Sequence, residues 1–482
     1  METSSNNSSV YRNHVITNII KSCNRNDVFI CGNKHVFSYR EIVGYAEYLT
    51  QKFNLHEKNL FLISGNSEWV ALLHIIVFLC GGMVIHVDSS EKSLLKKIIN
   101  DHKPRKKTYF YSEEDTNLDL SELIYIDKSD IHNTNPLIYS KESYEEIIKG
   151  FLNNLFDKYL ITGTSGTTGA EKIIIHSRFN LCAASFCFPQ SHGSIENRTF
   201  LSYLSFSYLG GILNSLILPF LNNSSIYITN SDNVTMETMR GLSNRSFDSV
   251  WLPFSIIRNL YNLKFFDRVK GDYKIFAAFD SVDTNLKRKI WLEHGVRIYE
   301  SYGTSEALFV LVESEKDNIF SSGRMLSCAT LVEEKNNSQE IEMIIRSEST
   351  ALNVNQPYFS GDIFEIKNNR FFFKRRIKDV IIKSGLNIYP SHIESFLRRE
   401  IKTQHDFCAL GKTDELLGQK FFLLIEGNSS EIIKENVKNL LIESFGKKYL
   451  PDSILFTDSF PRTRSGKVRK KDLEHLLNCK TF

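Results

Sequence analysis

A mixed α/β fold is what this 482-residue sequence predicts: a large unit of layered, mostly parallel sheets and helices, followed by a small mobile α/β unit. Three observations predict it. Between about residues 27 and 350, apolar runs of strand length alternate with longer helical stretches, the pattern of a largely parallel α/β architecture. The length exceeds what one ordinary core organises, so two or more domains are expected. Near Tyr358 the pattern changes to a hairpin, a charged cluster and a short tail carrying its own helix. The expected division is a polar segment over 1–26, a large domain over 27–377 and a small domain over 378–482.

Composition narrows the class. Hydrophobic residues make up 42% and charged residues 24%, a balance that buries a sizeable core. A net charge of +3 is too even to imply nucleic acid or an anionic membrane as a partner. The eight cysteines are scattered, with no CxxC and no histidine nearby at metal-ligand spacing. They read as reduced, mostly buried thiols of a cytoplasmic protein. The opening METSSNNSSVYRNH lacks an apolar signal core, so no export is expected. No repeats or low-complexity tracts interrupt the chain.

In chain order, FLIS is of strand length. WVALLHIIVFLCGGMVI, Trp69 to Ile85, approaches membrane length, but His74 and the Gly81-Gly82 break interrupt it short of the ~20 apolar residues a span requires. It reads as a buried helix turning through glycines into the strand MVIHV. TYFY, SIYIT and VRIYE are further strands. Between them, TGTSGTTGAEK, Thr162 to Lys172, packs three glycines and five hydroxyls into eleven positions. It is not a Walker A loop, because Ala170 and Glu171 stand between Gly169 and Lys172. The apolar flanks KYLI and KIII make it a loop joining two strands. Glycines permit close backbone approach, and successive N–H groups in such turns hold anions. Alone the composition also suits a plain surface loop; bounded by strands and closed by a lysine, it reads better as a polyphosphate cradle.

Further on, ESYGTSEA, Glu300 to Ala307, follows a strand and offers Glu306 as a carboxylate for Mg²⁺, or as a plain solvated residue. YFSGDIF offers Asp362 as an acceptor for ribose hydroxyls, although aspartate beside glycine is also a turn former. GDIFEIKNNRFFFKRR is a hairpin turning at Lys367, Asn368 and Asn369, and the charged Lys374–Lys378 cluster after it is a candidate hinge. DVIIKSGLNIYPSHIESFLRRE is a strand, a glycine turn and a helix with Pro390 in its first turn and Ile393, Phe396 and Leu397 on one face. FPRTRSGKVRKKDL is the most basic run; without interleaved aromatics it does not read as a nucleic-acid patch, and Lys467 on its Ser465-Gly466 turn is suited to enter an active site as a mobile cation.

These five segments, in this order, resemble the AMP-forming adenylating enzymes: acyl- and aryl-CoA synthetases, adenylation domains of nonribosomal peptide synthetases, and firefly luciferase. The resemblance covers the chain from about residue 27 to the end. It implies that Thr164, Ser165, Gly166, Thr167, Thr168, Gly169 and Lys172 hold the β- and γ-phosphates of ATP. Ser305 would touch the α-phosphate and Glu306 would bind Mg²⁺. Tyr302 would stack on adenine with Asp280 nearby, and Asp362 and Arg376 would take the ribose. Lys467 would bridge the substrate carboxylate and the α-phosphate, offsetting the repulsion between two anions. Lys378 would be the hinge of the small domain, and Gly385 would flank the tunnel for the pantetheine of CoA or of an acyl carrier protein. Phe206, Ser207, Gly210, Phe279 and Gly303 would line the acid pocket.

Three departures bear on the substrate and the loop. Glu171 stands where the family usually has proline, which weakens rigidity more than binding. Phe279, after Ala277 and Ala278, stands where a small residue is usual and should shorten the pocket. Ser207 stands where amino-acid-activating relatives carry the aspartate that pairs an α-ammonium. The resemblance thus implies a small carboxylic acid, activated as an acyl-adenylate with pyrophosphate release and passed to a thiol. A stand-alone enzyme loading a carrier protein, a non-catalytic nucleotide-binding homologue and a luciferase-like oxidase are the competing readings.

Overall fold

The computed structural model describes residues 10, 13, 14, 16, 17, 25–32, 34–53, 55, 59–86, 108–112, 123–126, 141–165, 171–231, 233–269, 271–278, 282–317, 320–332, 340–383, 386–401, 405–414, 418–462 and 468–479. Four sheets organise them. A six-stranded sheet runs Leu123–Tyr125, Thr108–Ser112, Leu60–Ser64, Met83–His86, Lys158–Ser165, Glu171–Ser177, parallel except for its last pair. A nine-stranded sheet runs Arg324–Met325, Leu308–Val312, Ile298–Thr304, Lys274–Ala277, Ser249–Leu252, Thr199–Ser202, Ser225–Ile228, Val28–Cys31, Val36–Ser38. Its middle is parallel and both edges are antiparallel. The mixed α/β class is therefore as the sequence predicts.

Between these two sheets lies the largest core cluster. At its centre is the helix Glu68–Cys80, every residue of which is buried. The Ser67 hydroxyl caps it by accepting from Trp69 and Val70 N–H at 3.1 and 3.4 Å. At its other end Gly81 and Gly82 take φ of 125° and 83°, which a side chain strongly disfavours, and turn the chain into Met83–His86. The buried carbonyls at that end need donors. Arg178, itself wholly buried, supplies them, donating to Phe78, Val77 and Gly82 oxygens at 2.7–2.9 Å while its guanidinium lies over the Tyr159 ring. Among the described residues no helix is long and apolar enough to cross a membrane.

Residues 329–376 form a four-stranded antiparallel sheet. Its last hairpin turns at Asn368 and Asn369, both left-handed at φ 52° and 58°, the two-residue turn whose twist matches the strands it joins. From Ile381 onward a five-stranded sheet, with the helices Pro390–Glu400 and Glu431–Phe445, encloses a core of its own. Ile393, Phe396 and Leu397 are buried in it, as their spacing predicts. A second short strand, Leu386–Ile388, pairs with Ile381–Lys383 where the sequence shows only a glycine turn. Cys31, Cys80, Cys182, Cys187, Cys328 and Cys408 form no disulfide, and all of these but Cys31 are buried.

Candidate active site

The parallel strands of the two large sheets end toward one another. Asn66, just past Leu60–Ser64, accepts from the Phe206 N–H at 3.3 Å and reaches the Asn230 side chain, just past Ser225–Ile228, at 3.5 Å. A crevice outside the carboxyl ends of parallel strands is where α/β folds place ligands. Past or at the carboxyl ends of the nine-stranded sheet's parallel strands stand Ser205–Ser207, Ala278 and the segment from Tyr302 to Glu306.

The expected cradle is a hairpin. Lys158–Ser165 and Glu171–Ser177 pair antiparallel, with Thr164 opposite Lys172 and Ser165 opposite Glu171, so the loop does join two strands. Gly166, Thr167, Thr168 and Gly169 lie outside the described residues, as do Phe279, Asp280, Gly385 and Lys467. The hairpin's second strand is fastened to the Tyr302–Glu306 segment at two points. Lys172 Nζ stands 2.8 Å from Glu306 Oε1, and the buried His176 Nε2–H donates to the Ser305 carbonyl at 2.8 Å. Burial pushes the His176 ring down to about 4, against the opposing pull of the Ser305 carbonyl and Glu306, so it is a neutral donor.

The same segment is held from the far side by residues 349–353. Ala351 N–H donates to the Glu306 carbonyl at 2.7 Å, and Ser349 Oγ donates to the Ala307 carbonyl at 2.7 Å. Asn353 clasps the hairpin edge, accepting from Ile175 N–H at 3.0 Å and donating to the Ile173 carbonyl at 2.8 Å. Neither Asn353 nor His176 carries a signal in the sequence. Gly303 is required by space: a Cβ there would collide with the Leu308 carbonyl oxygen across the bulged turn.

Asp362, wholly buried, faces Arg376 across the strand pair Tyr358–Lys367 and Arg370–Arg376. Arg376 donates to both its oxygens at 2.6 and 2.9 Å, and the Tyr302 hydroxyl donates to Oδ2 at 2.7 Å. Burial first, then the Asp362 charge, hold the Tyr302 phenol well above its usual range. Both carboxylate oxygens are thus engaged by protein groups. The Arg376 side chain, 35% exposed, presents the reachable edge of the trio.

In the pocket region, Phe206 is fully buried with its ring against His74 and His86. Ser207 shares a 2.9 Å hydroxyl bond with Ser205, and Gly210 lies in the short helix Leu209–Ile212. Behind the strand leading to Tyr302, Lys287 and Glu313 are fully buried at 2.6 Å; Glu300 N–H donates to the same Glu313 oxygen as Lys287 at 3.0 Å, and Arg297 to the other at 2.9 Å. Lys378 lies in the turn Ile377–Asp379 that leaves the hairpin. Among the described residues there is no cluster of three or more side chains suited to hold a metal; Glu306 is a single carboxylate.

Residues 62–350 match the AMP-binding enzyme family. The chain belongs to that family. It is 25% identical over 369 residues to a 2-succinylbenzoate–CoA ligase of Staphylococcus aureus (strain Newman), covering 70% of this chain and 71% of that protein. A shorter stretch of 119 residues is 39% identical to the 2-succinylbenzoate–CoA ligase of Lactococcus lactis subsp. lactis (strain IL1403), 24% of this chain and 25% of that protein. The fold is similar to that of the o-succinylbenzoate CoA synthetase from Bacillus subtilis in complex with its acyl-adenylate, with a TM-score of 0.73 at 15% identity, over 95% of this chain and 97% of that one. This AMP-binding enzyme is an AMP-forming acid–thiol ligase: it activates a carboxylic acid with ATP and transfers the acyl group to a thiol.

Proposed function

We propose that the acid is compact and carries no α-amino group, and that it is a single-ring aromatic carboxylate of the kind named for the relatives above. The observation that carries the site assignment is the double fastening of Lys172 to Glu306 and of His176 to Ser305, which brings the phosphate hairpin onto the Tyr302–Glu306 segment at the carboxyl edge of both sheets. On this reading the hairpin's N–H groups, hydroxyls and Lys172 hold the β- and γ-phosphates, and Ser305 meets the α-phosphate. Tyr302 lies against adenine. Asp362 orients the Arg376 guanidinium, and the two take the ribose hydroxyls.

Glu306 fits Mg²⁺, which takes one or two carboxylates alongside phosphate oxygens; the ion would neutralise charge on the phosphates, and Lys172 would then turn from Glu306 to the phosphates. Lys467 would steady the two anions that must meet when carboxylate oxygen attacks the α-phosphorus. Ser207, bonded to Ser205, gives an α-ammonium no carboxylate, and an unpaired buried charge is costly. CoA rather than a carrier-protein arm is the acceptor, because the curated relatives are CoA ligases.

Pyrophosphate release measured over a panel of acids tests this. Benzoates bearing one small substituent should be turned over best; preference for an α-amino acid or a long-chain fatty acid would overturn the substrate reading. Lys467→Ala should abolish adenylate formation while preformed adenylate still transfers to CoA. Equal loss of both half-reactions would remove the lysine from this role.

A further inference from the structure

His74, on the buried helix, and His86, the last residue of the strand Met83–His86, form a pair no part of the adenylation machinery uses. Their rings are stacked with centroids 5.4 Å apart, and His74 Nε2 lies 3.1 Å from His86 Nδ1. Both rings also touch Phe206, at 5.7 and 6.4 Å between centroids. His86 stands at the carboxyl edge of its sheet, beside Ile63 of the neighbouring parallel strand. That is the edge where Asn66 holds the Phe206 backbone.

The proton positions follow from what is buried. Desolvation drives the His74 pKa well below its ordinary value and brings His86 down to about 3, so both rings are neutral and each carries one N–H. One arrangement has His86 Nδ1–H donating to His74. The His74 proton then sits on Nδ1, a buried atom with no partner among the described residues. An orphaned buried N–H is rare and expensive. In the other arrangement His74 Nε2–H donates to His86 Nδ1, and only a lone pair is left bare at His74 Nδ1. The second is favoured, and it fixes the His86 proton on Nε2. His86 is half-buried, and among the described residues nothing accepts from that Nε2–H.

We propose that His86 is a specificity-determining residue that presents a neutral Nε2–H donor beside Phe206, so that the pocket selects carboxylic acids bearing a second oxygen acceptor, a ketone or carboxylate, over hydrocarbon acids of the same shape. This rests on the reading that Phe206 lines the acid pocket. It deepens that reading by naming the group on the acid that the pocket recognises. A donor left unpaired by the wrong substrate discriminates more sharply than a methylene-sized gap does.

The test pairs two acids of matched shape, 2-propanoylbenzoate and 2-propylbenzoate, in steady-state pyrophosphate release. Wild type should favour the ketone by tenfold or more in kcat/KM, chiefly through KM. His86→Phe, which keeps a ring and removes the donor, should bring the ratio to about one, and His86→Gln should restore part of it. An unchanged ratio in His86→Phe, or no preference in wild type, overturns the proposal. Failure of both acids in wild type would instead sink the aromatic-acid reading. Long-range ¹H–¹⁵N NMR of histidine-labelled protein decides the donor independently: the Nε2–H form at His86 supports it, and the Nδ1–H form overturns it whatever the kinetics.

Discussion

The Asp362 carboxylate is where a single side chain carries most at this site. It has no exposed surface, and its three charge-assisted or phenolic bonds to Arg376 and Tyr302 join two strands of the antiparallel sheet to the crevice. Asp362→Asn keeps the shape and removes the charge, so Arg376 loses a bidentate partner and Tyr302 loses its strong acceptor. With hydrogen bonds to charged groups worth about 1.5 to 3 kcal/mol each, we expect a stability loss of about 3 kcal/mol and a KM for ATP raised tenfold or more. Urea unfolding and ATP-dependent pyrophosphate release measure the two, and wild-type values in both would show the trio to be incidental. The sequence marks Tyr302 and Arg376 as candidates only through the order of motifs, and Asp362 also as an acceptor beside a glycine. Nothing in their spacing says that they touch, because a tyrosine and an aspartate 60 residues apart meet only when their strands are packed.

Elements set where those residues stand, and the helix Glu68–Cys80 is the clearest case. Its sequence announces burial, since His74 is the one polar residue between Trp69 and Cys80. It does not announce that the carbonyls at its end are satisfied by an arginine about a hundred residues later. Arg178→Met should fill the same volume and leave three buried carbonyls without donors, lowering stability by about 3 kcal/mol or more. A urea midpoint shifted by less than the equivalent of about 1 kcal/mol would mean that water replaces the guanidinium. The hairpins behave differently. The strand–loop–strand cradle and the Asn368-Asn369 turn were legible because a hairpin needs only local pattern and turn chemistry. The clasp of Asn353 on the cradle's outer strand was not, since an asparagine after a strand is ordinary in any loop.

For the whole molecule, burial of neutral imidazoles makes stability depend on acid. His74 is held well below its usual value, His86 at about 3, and His176 and His192 at about 4, chiefly by desolvation. The unfolded chain protonates these rings as pH falls through about 6.5, and the folded chain does not until about 4 or lower. Stability is therefore full above about 6.5 and is lost on acidification, by about 1.4 kcal/mol per histidine at one pH unit below that value. The urea midpoint should fall steeply between pH 7.5 and 5.5, and a flat profile would show that these rings open to solvent. The proposed hinge at Lys378, in the short turn between the hairpin and the last sheet, is tested by Lys378→Pro. A fixed φ there should impair transfer to CoA far more than adenylate formation; survival of both half-reactions would remove the hinge. What the sequence by itself determined is the mixed α/β class, the run of strands and the order of the five segments, because alternating apolar runs, glycine turns and a proline in a helix's first turn are local instructions. What only the tertiary structure decided is which of those segments touch: Lys172 with Glu306, His176 with Ser305, His74 with His86, and the buried Lys287–Glu313 pair behind the site. Such contacts are fixed by how two sheets close on one another, a condition of packing and desolvation that no single stretch of chain encodes.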